Sequence, residues 1–275
     1  MKKHSKYFSN FFIISIFAIA FCFFSCKKPM PKSSVPENMT LVWADEFDYE
    51  GEPDESKWNY SLGNINGWGN AEIQKYTINA ENVYVSDGVL TITALRGDPK
   101  SNTWTSARVK TQYKASWDHG YIEICAKLPK GVGTWPAIWM LPNAEKYGSW
   151  PRSGEIDIME MVGFDQDEIH TTIHTLAFNH KNNTQKTKHA KIKNTTNQFH
   201  TYAIDWTSDY IKWFIDGELF FEVENPKQSW QEWPFDIPFY LIMNIAIDGT
   251  WGGQQGVDPK LQKAQMIVDY VRVYQ

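Results

Sequence analysis

The sequence is poor in cysteine: three occur among 275 residues, Cys22, Cys26 and Cys125. Cys22 lies inside an apolar N-terminal run and Cys26 closes it, so Cys125 has no partner for an internal disulfide, and stability must come from a packed core. An excess of positive charge is also missing. With 27 Lys and Arg against 32 Asp and Glu the net charge is -5, which excludes the basic surface a nucleic-acid partner needs. No apolar stripe keeps helical spacing for more than two turns, which excludes a helical bundle. No repeat of blade length recurs, which argues against a propeller. The one long apolar run, Phe11 to Phe24, is too short to span a bilayer.

That run belongs to a secretory signal in outline: basic residues open the chain, the apolar core follows, and Ser25-Cys26 ends it. A small residue before cysteine resembles a bacterial lipobox, so residues 1–25 are expected to be removed and Cys26 lipidated. A plain signal peptide is the alternative, because Phe23 and Phe24 stand where smaller aliphatics are usual. Residues 26–38, rich in Pro, Ser and Lys, read as a flexible tether. Residues 39–275 read as one domain. There, short alternating apolar runs such as Val89 to Leu95, Tyr121 to Leu128 and Tyr210 to Ile215 meet turn signals, Asp87-Gly88 and Asp216-Gly217 among them. Asp-Gly between alternating runs predicts a tight hairpin with positive φ at both turn residues. The domain is therefore all-β, and so many strands must pack as two sheets or close into a barrel.

Aromatics are abundant, with 13 Trp, 13 Tyr and 16 Phe. The segment GEIDIMEMVG, Gly154 to Gly163, sets Glu155, Asp157 and Glu160 in an apolar run. In a regular strand Glu155 and Asp157 share one face, and Glu160 falls on the face of Ile156 and Ile158. Burying that charge unpaired would cost several kcal/mol. A β-bulge around Ile158-Met159 returns Glu160 to the face of the other two acids. Like charges gathered on a central strand destabilise it without a purpose, and catalysis supplies one. A retaining glycoside hydrolase needs two carboxyls about 5 to 5.5 Å apart, one to attack the anomeric carbon and one to protonate the departing oxygen. Three adjacent acids cannot all ionise cheaply, so at least one holds a proton near neutral pH, with Glu160 the natural candidate.

EIDIME in this bulged form resembles the signature of glycoside hydrolase family 16. GWGNAEIQKYT (Gly67 to Thr77), GTWPAIWMLP (Gly133 to Pro142), FHTYAIDWTSDYIKWFIDG (Phe199 to Gly217), WPFDIPFYLIMNIA (Trp233 to Ala246) and VDYVRVYQ (Val268 to Gln275) resemble its bacterial laminarinases. The resemblance covers Leu41 to Gln275 and implies a β-jelly roll: two antiparallel sheets, the inner one concave and crossed by a substrate cleft. It implies Glu155 as nucleophile, Glu160 as general acid/base and Asp157 as the assisting acid between them. It places Trp68, Asn70, Glu72, Arg108, Trp135, Trp139, His174, Asn244 and Trp251 in the cleft, where flat aromatics suit the apolar faces of sugars and polar groups suit their hydroxyls.

The family uses no catalytic metal. Many members hold a structural calcium, for which Glu46, the carbonyl of Gly88 and Asp269 are the matching oxygen donors. Asp248 stands where the family usually has glycine, Cys125 reads as an inert, partly buried thiol, and the lysines of His180 to Asn194 read as a solvated loop. The expected protein is a monomeric, surface-anchored lipoprotein, an endo-acting retaining enzyme that cleaves β-1,3-glucosidic bonds in laminarin-like β-glucan. Its alternatives are a relative acting on mixed-linkage glucan or an algal galactan, and a surface lipoprotein that binds glycan without cutting it.

Overall fold

Alternation of apolar and polar residues produces strands throughout the computed structural model, which describes Met1, residues 31–98 and residues 102–275. In chain order the strands are β1 (Leu41–Asp45), β2 (Asn59–Tyr60), β3 (Gln74–Tyr76), β4 (Val83–Ser86), β5 (Val89–Arg96), β6 (Trp104–Ser106), β7 (Arg108–Lys110), β8 (Gly120–Lys127) and β9 (Thr134–Pro142). They continue as β10 (Glu155–Glu160), β11 (Glu168–His174), β12 (Lys186–Lys191), β13 (His200–Trp206), β14 (Tyr210–Ile215), β15 (Glu218–Glu224), β16 (Phe239–Ile247) and β17 (Lys263–Tyr274). Both expected hairpins form. Asp87 and Gly88 turn β4 into β5 at φ 54° and 73°, and Asp216 and Gly217 turn β14 into β15 at φ 51° and 75°.

The strands make two sheets. A back sheet has the order β15-β14-β13-β8-β17-β5-β6-β3, with β1 added on β17 and β4 on β5, and a front sheet has the order β12-β11-β10-β9-β16-β7-β2. Among the described residues pairing is antiparallel except between β3 and β6. The two sheets are thus the expected antiparallel ones with one short parallel pair: the chain between β3 and β6 runs out and back through the β4-β5 hairpin, so β6 returns in the direction of β3. The core lies between the sheets, and Ile156, Ile158 and Met159 of β10 share its buried apolar cluster with Ile122 and Ile124 of β8 and Trp213 of β14. The architecture is the expected β-jelly roll, and its front sheet turns one face to this core and the other to a cleft.

Cys26 lies outside the described residues, as does the expected signal at 2–25. The described part of the expected tether is docked on the domain: Thr201 Oγ1 donates to the Lys32 carbonyl at 2.8 Å, and the Ser34 and Tyr121 hydroxyls meet at 2.8 Å. Pro31 to Gln275 accordingly form one unit. Cys125 is fully buried rather than partly so, and burial pushes its thiol far above the usual range, which leaves it protonated and unreactive. Glu46 does not offer a free carboxylate for calcium. Both its oxygens accept from Arg272, Nε and Nη2 each at 2.7 Å. A bidentate guanidinium balances the carboxylate's charge and takes one lone pair on each oxygen, so a cation at this side chain would compete with Arg272. The segment from His180, expected as a loop, contains strand β12 at the edge of the front sheet, where alternating lysines protect an otherwise open edge.

Candidate active site

The parity argument for Glu160 holds. Along β10 and β9, Asp157 pairs with Trp139 and Met159 with Ile138, a shift of one residue that marks a bulge at Ile158. Ile158 and Met159 both point into the core, and Glu155, Asp157 and Glu160 all line the cleft. The bulge interrupts the ladder beside Asp157, and Trp213 of the back sheet reaches across the core to donate its indole N–H to the Asp157 carbonyl at 2.9 Å. Trp213→Phe would keep an aromatic ring, leave a cavity where the larger indole stood and orphan that carbonyl. It is expected to lower unfolding stability by about 1–3 kcal/mol and to reduce activity in the protein that remains folded, both read from denaturant titration and rate on one sample.

The cleft has a volume of about 1220 Å³ and contains all nine substrate-binding residues expected from the sequence. Strands β9, β11 and β12 present alternate residues to it, β10 presents Glu155, Asp157 and, past the bulge, Glu160, and β7 and β16 add Arg108, Tyr240, Asn244 and Ala246. Around β7, the Arg108 guanidinium lies between two indoles, 4.9 Å from the Trp68 ring and 4.7 Å from the Trp139 ring. Trp139 donates to Asn244 Oδ1 at 2.8 Å, and Asn244 donates to the Tyr76 hydroxyl at 3.0 Å. Glu72 accepts from Asn70 at 3.2 Å and Gln74 at 2.6 Å; burial raises its carboxyl above the ordinary range. Trp68 sits in the 3₁₀ turn Asn66–Gly69, where neighbouring glycines at positive φ let the chain present the indole to the cleft.

Several cleft residues were not identified from the sequence. On β11, His170 and Thr172 share the face of His174, and counting back by twos from His174 finds them. Trp150, His180 and Lys181 come from loops without periodicity, and only the tertiary structure reveals them. Lys186 and Lys188 point away from the cleft, over Phe178 and Phe220, whereas Thr187 and His189 face it.

Burial dominates the electrostatics. Asp157, 2 % exposed, is held well above the usual carboxylate range by burial and then by the charges of Glu155 and Glu160. Glu155 is pushed up to about 8 by burial and by Glu160, with Trp150 and Arg108 acting in the opposite sense. Glu160 is pushed up to about 7 by burial, against the hydrogen bond from Trp135. The three titrate as one group. All three acids are thus raised, and the trio holds a proton near neutral pH as the sequence suggests, with Glu160 raised to about 7 and Asp157 the most enclosed of the three. His174 Nε2 lies 3.5 Å from Asp157 Oδ2 and 3.8 Å from Glu155 Oε1, and burial lowers the imidazole to about 3, so it is neutral beside them.

The chain matches the family described as glycosyl hydrolases family 16 over residues 70–272. It is 51 % identical over 251 residues to a beta-glucanase of Rhodothermus marinus, covering 88 % of this chain and 87 % of that one. Among solved structures, the laminarinase from Rhodothermus marinus superposes with a TM-score of 0.83 at 53 % identity, over 86 % of this chain and 97 % of its own. A non-specific endo-beta-1,3(4)-glucanase of the same family, crystallised with a glucan oligosaccharide at its active site, superposes with a TM-score of 0.84 at 45 % identity, over 89 % and 97 % of the two chains.

Proposed function

The chain belongs to glycosyl hydrolases family 16, and from that premise we infer that it is an endo-acting hydrolase of β-1,3-glucosidic bonds in laminarin-like glucans, working by double displacement with retention. The observation that carries the reading is the bulged strand β10, which sets three acids, Asp157 buried and Glu155 and Glu160 half-buried, side by side in an aromatic-lined cleft.

In this reading Glu155 attacks the anomeric carbon while Glu160 gives its proton to the departing glycosidic oxygen. A covalent glycosyl-enzyme results. Glu160, now a carboxylate, takes a proton from water, whose oxygen displaces Glu155 and restores both groups. The division rests on the matching positions of the family; with Glu155 pushed up to about 8 and Glu160 to about 7, the coupled pair shares a proton near neutral pH. The charge of Glu160 is what raises Glu155 after burial itself; once Glu160 is protonated that repulsion vanishes, and Arg108 and Trp150 then favour a charged Glu155. The acid form of one residue and the ionised form of the other thus stabilise each other. A protonated Asp157 removes a further like charge from beside the nucleophile.

The experiment is product analysis on laminarin, lichenan and agarose, with the anomer of the first product followed by NMR. β-1,3-linked oligosaccharides of several lengths, released first as the β-anomer, are the expected result. Cleavage of lichenan as well would extend the reading to mixed-linkage glucan, in line with the non-specific relative. Binding to laminarin without any product would establish the non-catalytic alternative. Lipidation at Cys26, a surface location and a monomeric state belong to the same proposal, and the N-terminal sequence supports the first two.

A further inference from the structure

We infer that Trp135 is the positioning residue for the Glu160 proton donor, with the loop Asp248 to Gly253 as its buttress; the inference rests on the role proposed for Glu160. Trp135 Nε1 donates to Glu160 Oε1 at 3.0 Å. An indole N–H donates and never accepts, and the carbonyl-like oxygen of a carboxylic acid accepts better than its hydroxyl oxygen. The acid form of Glu160 is therefore held with Oε1 against the indole and its proton on Oε2. The same bond favours the carboxylate over the acid, so the ring both aims this group and keeps its proton transferable.

The indole is fixed in turn by contacts that no sugar supplies. Trp251 meets its ring edge to face at 5.4 Å, and His170 meets Trp251 in the same manner at 4.8 Å. The loop carrying Trp251 is pinned on both sides, Asp248 N to the Gly133 carbonyl at 2.8 Å and Thr250 N to the Asn70 carbonyl at 2.7 Å. Gly252 lies so close that a Cβ there would come within 2.9 Å of the Trp135 Cβ and 2.6 Å of the Asp248 carbonyl. The departure of Asp248 from the family's usual glycine thus falls within the support of the acid/base, not merely at the end of the cleft. Trp139, four residues on, directs its N–H to Asn244 instead, so the two tryptophans of this strand serve different ends.

The test is Trp135→Phe, which keeps an aromatic ring and removes the donor. On a natural β-1,3-glucan, kcat is expected to fall about tenfold with KM within about twofold, because the lost contact acts on proton transfer. The basic limb of the pH profile is expected to move up by about one unit, since a bond that favoured the carboxylate is gone. Aryl glucosides with acidic phenol leaving groups are expected to keep their first-step rate. A raised KM with an unmoved basic limb would make Trp135 a sugar platform and overturn the inference.

A second measurement does not depend on that variant folding. In protein labelled with ¹⁵N-tryptophan, one indole N–H resonance is expected to titrate in the wild type and to lose that titration in Glu160→Gln; if no indole resonance behaves so, the inference is wrong. Failure of the underlying role looks different, because it appears in Glu160→Gln kinetics on the two substrate types whatever Trp135→Phe does.

Discussion

Glu155→Gln is expected to abolish turnover of every substrate, by about 10⁴-fold or more, while glucan binding persists. The amide has no charge to attack with, so the glycosyl-enzyme cannot form even on a glucoside with an excellent leaving group. Binding survives because the groups expected to grip sugar, Arg108, Trp139, Asn70, Glu72 and Asn244, stand on other elements and hold one another without Glu155. The fold should tolerate the change well. Glu155 is a half-buried acid whose ionisation opposes Glu160 and Asp157, so a neutral isostere relieves repulsion, and the melting temperature should stay level or rise. Rate on laminarin and on an aryl glucoside, affinity electrophoresis in laminarin gels and thermal unfolding check these points together. Turnover above a few per cent of wild type in a folded variant would remove the nucleophile role.

Glu160→Gln is expected to separate substrates by their leaving groups. On natural glucans the loss should be about 10²–10⁴-fold, the size of a general acid's contribution. With an acidic phenol as leaving group the first step needs little protonation, so a rapid burst of phenol should survive, followed by slow turnover because no base activates the water. The pH profile gives a second readout. In the wild type, activity on glucan falls as pH rises through the Glu160 transition, pushed up to about 7, because the proton needed by the leaving oxygen is lost. The variant has no such proton to lose, and that limb should disappear. Equal loss of burst and steady state on both substrate types would place the acid elsewhere.

Much of this protein was readable from residue order alone. The two Asp-Gly turns and the strands they join follow from local backbone preference, and the bulge follows from parity, since Glu160 can reach the face of Glu155 only if one residue is inserted. The nine substrate-binding residues came from resemblance to a family, and all of them line one cleft. Residues 31–34 read as tether by composition, but their hydrogen bonds to Thr201 and Tyr121 come from strands far along the chain.

The sequence determined the class of fold, the three acids and the need for a bulge, because each depends on alternation, turn conformation or charge within a few neighbouring residues. Only the tertiary structure decided that Asp157 is the most enclosed of the three acids, that Glu46 closes on Arg272, that Trp213 caps the bulge and that Trp135 holds Glu160. Those outcomes depend on how deeply a group is buried and on which strands become neighbours. Arg272 and Glu46 are 226 residues apart, Trp213 and Asp157 are 56 apart, and Trp135 and Glu160 are 25 apart. Residue order carries no distance between such pairs until sheet order and register have set it.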